Sequence, residues 1–201
     1  MFKFIVRFFF STILLFTPFI TNAQRLAVKS NLLYDATSTI NLGFEFATAR
    51  NWTIELSANY NPWTFSDNRK MKLWMLQPEL RWWTCQRFTG HFIGVHALGG
   101  AYNWGGMLPW GFRNGKMLGF IENKQIQNNR YQGWIIGTGV SYGYQFIVSN
   151  RLSFEASIGL GYARISYDRY ACHKCGSYLG SGRQNYFGPT KIGLSIIYFI
   201  K

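Results

Sequence analysis

The feature that most constrains this chain is an alternation of apolar and polar side chains with a period of two residues. Between residues 40 and 47, every second side chain is a large apolar one, and those between them are small or polar. Eight segments follow this pattern, each bounded by turn-forming residues. A helical period never extends beyond two turns in the same part of the chain. The sequence therefore predicts an all-β fold of eight antiparallel strands.

The predicted strands cover about residues 25–34, 40–48, 52–60, 72–84, 91–102, 131–148, 152–167 and 192–200. Pro78 interrupts the fourth, and because proline cannot donate a ladder hydrogen bond we expect a local bulge there. Short links near residues 50, 86 and 150 alternate with longer ones at 61–71, 103–130 and 168–183. This alternation is typical of an up-and-down transmembrane β-barrel with tight periplasmic turns and long outer loops.

The N-terminus has the pattern of a secretory signal peptide over residues 1–23. Lys3 and Arg7 precede an apolar stretch, and Ala23 gives a small residue at the expected cleavage site. A membrane-anchoring helix is the alternative, but Pro18 interrupts the apolar run. The sequence thus predicts an exported protein in which residues 24–201 form one outer-membrane β-barrel domain.

Charge and aromatic content narrow the class of partner. The formal net charge is +13, which indicates nucleic acid, phosphate-rich lipid or an acidic partner, and export argues against nucleic acid. Aromatic residues make up 19% of the chain, as expected if they form girdles at the two membrane interfaces. The predicted girdle residues are Trp52, Trp82, Phe146 and Tyr198 at one end and Tyr34, Tyr60, Trp74, Trp134 and Tyr162 at the other.

The charged residues within the strands indicate which face points inward. Four of the eight acids lie in mid-strand on the polar face, where a lysine and an arginine also fall. In a soluble barrel the opposite, apolar face would be a large patch exposed to water, whereas lipid would cover it in a membrane. Buried carboxylates need partners. We therefore predict a lumenal ion-pair network of Lys29, Glu45, Glu55, Glu79, Arg81 and Glu155.

Five segments carry a resemblance to a known family: KSNLLYDATSTINLGFEF, NWTIELSANYNPWTFSDN, QPELRWWTCQRFTGHFIGVHALGG, YQGWIIGTGVSYGYQ and FEASIGLGYARISYDRYACHKCG. Together they resemble an uncharacterised family of Bacteroidota outer-membrane proteins, classed as a domain of unknown function. The resemblance covers about residues 25–201. It implies a barrel similar in form to the small OmpA-type transmembrane domain, and a role related to surface fimbriae. It implies no catalytic residues.

The motif Cys172-His173-Lys174-Cys175 is the sharpest local signal in the chain. In an oxidising compartment it favours a loop disulfide between Cys172 and Cys175. A metal site or a redox dithiol is the alternative, but a closed zinc site needs four ligands. Cys85, the third cysteine, is predicted at the opposite membrane end as a free or lipid-facing thiol.

The long link 103–130 is a candidate partner-contact loop because it combines many glycines with exposed aromatic residues, Trp104, Trp110, Phe112 and Phe120. Basic residues outnumber acids in the outer loops, which predicts contact with phosphates of lipopolysaccharide or with an acidic surface partner.

The pattern offers no credible catalytic set, and we expect neither enzyme activity nor a cofactor or metal. His91 and His96 are five residues apart in one strand and so point to opposite faces. The predicted function is that of a structural or surface-interaction protein of the outer membrane, linked to surface fimbriae or envelope integrity. A narrow pore and a lipid-modifying enzyme are the alternatives.

Overall fold

A computed structural model describes residues 26–64, 70–105, 116–117, 121–122, 129–171 and 176–200. The predicted signal peptide lies outside these residues. Within them, no helix is both long and apolar enough to cross a membrane.

Eight antiparallel strands form a closed ring, which confirms the predicted all-β class and strand number. The ring runs β1-β2-β3-β4-β5-β8-β9-β10 and back to β1, and two further strands, β6 and β7, pair with each other. The strands are β1 Leu26–Asn31, β2 Ile40–Ala47, β3 Trp52–Asn61, β4 Lys70–Trp83, β5 Gly90–Gly105, β6 Lys116–Met117, β7 Ile121–Glu122, β8 Asn129–Ile147, β9 Leu152–Ala171 and β10 Tyr178–Ile200.

Side chains alternate between the two faces of the ring because successive residues of a strand point in opposite directions. In β3 the alternation is complete, with an exposed residue followed by a buried one along all ten positions. In β3 the exposed positions carry apolar or aromatic side chains and the buried ones carry polar side chains. The ring is thus apolar outside, and most of the side chains in its interior are polar.

Three tight turns, at residues 48–51, 84–89 and 148–151, lie at one end of the ring, which we call the short-turn end. The opposite end, from which the links 62–69, 106–128 and 172–177 leave the sheet, is the long-link end. Outward aromatic residues lie near both: Trp52 is opposite Trp82 near the short turns, and Tyr60 is opposite Trp74 near the long links.

Among the eight strands of the ring, length increases steadily along the chain, from 6 residues in β1 to 23 in β10. Because the chain closes on itself, the shortest strand lies beside the longest. The strands β9 and β10 replace much of the predicted loop 168–183, and β5 and β8 extend into the predicted loop 103–130.

The first predicted strand, 25–34, is shorter than expected. It ends at Asn31, and a five-residue helix, α1, spans Leu32–Ala36. The Asn31 side chain accepts a hydrogen bond from the backbone N–H of Leu33 (3.1 Å), which caps the helix. Tyr34, predicted in a membrane girdle, therefore lies in α1 and lines a small interior cavity. Burial raises the pKa of this phenol to about 12.

The bulge predicted at Pro78 is wrong. Pro78 lies opposite Leu56, and the register between β3 and β4 is unbroken there. Residues 77–78 do not pair with β5, but the register between β4 and β5 is the same before and after them. The missing N–H of proline thus leaves a gap in the β4–β5 ladder, but no extra residue is inserted into β4. Two irregularities that shift the register lie in β10 instead, one between Tyr178 and Gly180 and one between Pro189 and Lys191.

Candidate functional site

The interior of the ring brings together all six residues proposed for the ion-pair network. They come from five strands, β1, β2, β3, β4 and β9, and each is almost completely buried. Their positions follow from the alternation, since each falls on the buried register of its own strand, between two residues that face outward. The six residues are Lys29, Glu45, Glu55, Glu79, Arg81 and Glu155.

Three of the carboxylates lie in a row on adjacent strands. Glu45 is directly opposite Glu55, and Glu55 is directly opposite Glu79. Like charges at directly opposed positions destabilise a sheet. This row is therefore compatible with folding only if cations from elsewhere in the ring reach it.

Arg81 is the central cation of the cluster. Its Nη1 lies 3.0 Å from Glu45 and 2.8 Å from Glu155, and its Nε lies 2.8 Å from Glu79. Its Nη2 also pairs with Glu55. The planar guanidinium offers five donors in a fixed fork, so one side chain contacts all four carboxylates.

Lys29 occupies the one place among the described residues where three acids could hold a metal ion. Oxygen atoms of Glu45, Glu55 and Glu155 converge there. The Lys29 ammonium lies 3.0, 3.0 and 2.5 Å from them, respectively. A cationic side chain of the protein thus takes the position that a metal would need.

Sequence reasoning missed Lys191, the third cation of the cluster. Its ammonium lies 2.5 Å from Glu79 and 3.3 Å from Glu55. Strands β10 and β4 are four positions apart in a ring of eight, so the Lys191–Glu79 pair crosses the full interior. The signal was present, because Lys191 precedes outward-facing Ile192 and must point inward. These seven residues, three cations and four carboxylates, are the ion-pair cluster.

An aromatic layer closes the interior on the side of the short turns. Trp83 packs against Phe92 (ring centroids 4.9 Å apart) and Phe88 (6.1 Å), and Phe88 packs edge-on against Phe199 (5.3 Å). The Arg81 guanidinium lies 4.3 Å from the centre of the Phe92 ring, which joins this layer to the ion-pair cluster. Phe88 adopts a positive φ of 63° in its turn, an uncommon conformation that directs the ring inward.

A layer of uncharged polar groups lies on the other side of the ion-pair cluster. His96 is hydrogen-bonded through Nε2 to the Thr190 hydroxyl (2.8 Å), and Gln77 donates to the Thr190 carbonyl (3.4 Å). The Asn59 side chain donates to the side-chain amide oxygen of Gln77 (3.4 Å). His91, by contrast, lies on the exposed outer face, so the two histidines point to opposite sides as predicted.

The three layers leave little free space in the ring. The small interior cavity lined by Lys29, Tyr34 and Glu155 has a volume of about 20 Å³. That is enough for roughly one water molecule. Chemically, the arrangement fixes the strands around one another and fills the lumen.

The other predicted site residues are only partly described. Cys172 and Cys175 lie outside the described residues, as do Trp110, Phe112 and Phe120 of the candidate contact loop. Trp104 is half-buried in β5, opposite Tyr131 of β8, so it belongs to the sheet and not to a loop. Cys85 is exposed with a free thiol in the turn 84–89.

Comparison with known proteins places the chain in a family. The search of curated proteins gave no match. A family model described as "Protein of unknown function (DUF3575)" matches residues 8–200. That range includes every strand of the ring and all seven residues of the ion-pair cluster. The chain therefore belongs to the family Protein of unknown function (DUF3575).

Proposed function

We propose that this protein is an integral β-barrel of a bacterial outer membrane that acts as a structural or surface-interaction protein. Residues 1–23 are its signal peptide and residues 24–201 its barrel. One observation carries the proposal: large apolar side chains cover the outside of the ring, and a buried ion-pair cluster fills its inside. In water such a surface would be an unstable apolar patch, but lipid requires it.

The dimensions of the ring support a membrane position. A transmembrane strand needs about 9–11 residues when it is tilted; β3 has 10 and the later ring strands are longer, whereas β1 and β2 have 6 and 8. The strands β8, β9 and β10 have 19, 20 and 23 residues, so their long-link ends extend beyond the apolar band. Over the length where β1 and β10 pair, closing the ring also removes the unpaired strand edges that lipid does not tolerate.

The filled interior favours an anchor or contact platform over a pore. An eight-stranded ring is just wide enough for side chains to fill, and here ionic, amide and aromatic side chains do so. A role beside surface fimbriae or lipopolysaccharide would use the long-link end, where the wall of β8, β9 and β10 projects.

Cell fractionation tests the proposal directly. We expect the chain in the outer-membrane fraction, resistant to alkaline washing and released only by detergent, with a mature N-terminus at Gln24. Recovery from the soluble fraction without detergent would contradict it.

Planar-bilayer recording tests the choice between anchor and pore. The purified protein should give no steady conductance, because the ion-pair cluster spans the lumen. A stable open current from protein with an intact Arg81 would favour the narrow pore instead.

A further inference from the structure

The long-link part of β10 has a neighbouring strand on one side only. On the β9 side, pairing extends from Tyr198 to Tyr178. On the β1 side it extends only from Ile200 to Ser195, because β1 has just six residues. Among the described residues, no strand pairs with this second side of residues 178–190, which we call the β10 edge.

The Asn31 side chain marks where the pairing stops. Its amide donates to the carbonyl of Ile192 (3.1 Å) and its carbonyl oxygen accepts from the N–H of Leu194 (3.2 Å). The side chain thus occupies two backbone groups of β10 that two further residues of a longer, antiparallel β1 would have bonded. Beyond it the backbone turns into α1, which lies beside β10 but adds no strand to the ladder.

Side-chain exposure shows that the β10 edge is open. Phe187 is 82% exposed, whereas Tyr162, directly opposite it on β9, is 46% exposed. The difference arises because Phe187 has no neighbouring strand on its other side. Along such an edge every second residue points its N–H and C=O away from the sheet, which is a template for another strand.

The outer face beside this edge is cationic. Arg164 of β9 lies opposite Asn185, and Arg183 of β10 lies opposite Ser166, so the two arginines are diagonal neighbours within reach of one ligand. Both are exposed, and neither has an ion-pair partner among the described residues. The nearest acid on this face, Asp168, lies one pair further out, opposite Ser181.

We propose that the β10 edge binds an extended, acidic segment of another polypeptide, which adds to the wall as a further β-strand. Main-chain hydrogen bonds provide the pairing, and Arg164 and Arg183 select acidic side chains on the outward face of the added strand. The inference rests on the proposed function, in which the long-link end lies outside the cell.

A second copy of this chain is a poorer occupant. Two copies inserted the same way in one membrane would bring their β10 edges together in parallel, which is the less stable pairing. It would also bring the cationic faces of both copies side by side. A separate acidic strand has neither disadvantage.

The test uses the full mature chain in detergent micelles and an acetylated peptide of about ten residues in which glutamate alternates with threonine and valine. One control peptide replaces glutamate by lysine, and another carries prolines, which cannot complete a ladder. We expect the acidic peptide to bind and to slow hydrogen exchange at alternate amides of residues 178–190. The double variant Arg164→Glu, Arg183→Glu should weaken binding by about tenfold or more.

Four results would overturn the inference. The acidic peptide could fail to bind, or bind without new amide protection. The alternate amides could already be protected in the free protein. If that protection rises with protein concentration, a second copy covers the β10 edge. If it does not, a segment of the same chain covers it. Phosphorylated glycolipid could displace the peptide completely, which would assign the arginines to lipid. Fractionation reports separately on the proposed function, so the two can fail independently.

Discussion

The two parts of β10 differ in almost every physical respect although they belong to one strand. Residues 191–200 contribute Lys191 to the ion-pair cluster and, from Ser195 to Tyr198, pair with a strand on each side. Residues 178–190 pair on one side only and carry the most exposed large apolar side chain of the described chain, Phe187. The difference teaches that stability and contact surface are separated along one strand: the short-turn part holds the ring together, and the long-link part is free to bind.

The largest expected effect comes from removing the central cation. Arg81→Met leaves four buried carboxylates with two ammonium groups, and breaking a buried ion pair in this way typically costs about 3–5 kcal/mol. The control is Arg183→Met on the β10 edge, which should change stability by less than about 0.5 kcal/mol. The measurement is the free energy of unfolding in urea with refolded protein in detergent. Equal losses for the two variants would remove the distinction between the two parts.

A phenylalanine pair makes the same comparison with apolar side chains. Phe88 is 1% exposed in the aromatic layer, and Phe88→Ala should cost about 3–5 kcal/mol because it opens a cavity. Phe187→Ala should cost less than about 0.5 kcal/mol, since it removes a side chain already surrounded by solvent. Urea unfolding again provides the measurement. A large loss for Phe187→Ala would mean that something covers the edge in the folded protein.

Two valines near the short-turn half of the wall test where lipid contacts the ring. Val140 in β8 and Val148 in the following turn are 59% and 57% exposed, so they differ mainly in depth. In a bilayer, Val140→Arg should cost about 2–4 kcal/mol and Val148→Arg only about 0–1 kcal/mol. Unfolding in lipid vesicles measures both. If the two variants were equally stable, the apolar band would not lie in lipid.

The smallest expected effect is at the junction between the two parts. Asn31→Ala removes the cap of α1 and both bonds to β10, which should cost about 1 kcal/mol and speed exchange of the Leu194 amide. Asn31→Asp keeps the acceptor and should preserve protection of Leu194 while losing only the donor to Ile192. If the Leu194 amide exchanged at the same rate in Asn31→Ala, its protection would come from pairing with β1 and not from the Asn31 side chain.

Strand alternation predicted most of the ring and of its interior. The inward position of Glu55 or Arg81 follows from the alternation alone, because the apolar residues on either side of each face outward. This reasoning works wherever the register of the strand is continuous. It was not extended to Lys191 because the predicted strand began one residue later, at Ile192. Before Lys191 the count fails, since the irregularity between Pro189 and Lys191 reverses the facing of the earlier residues of β10.

The aromatic layer could not be assigned from the sequence for a different reason. Phe92 lies in a strand so rich in glycine that neither face shows a clear pattern, and Phe88 lies in a turn, where alternation does not apply. Their positions depend on contacts with Trp83 and Phe199, which come from distant parts of the chain. α1 was missed because five residues are too few to show a helical period.

By itself, the sequence determined the class of the fold, the number of strands in the ring and the facing of side chains in the strands with clear alternation, because a period of two is a local property of an extended chain. Only the tertiary structure decided the lengths and the register at which the first and last strands meet. Ring closure puts the six-residue β1 beside the 23-residue β10 and brings Lys191 across the interior to Glu79. Both the ion-pair cluster and the β10 edge follow from that closure, since pairing between the first and last strands depends on residues far apart in the chain.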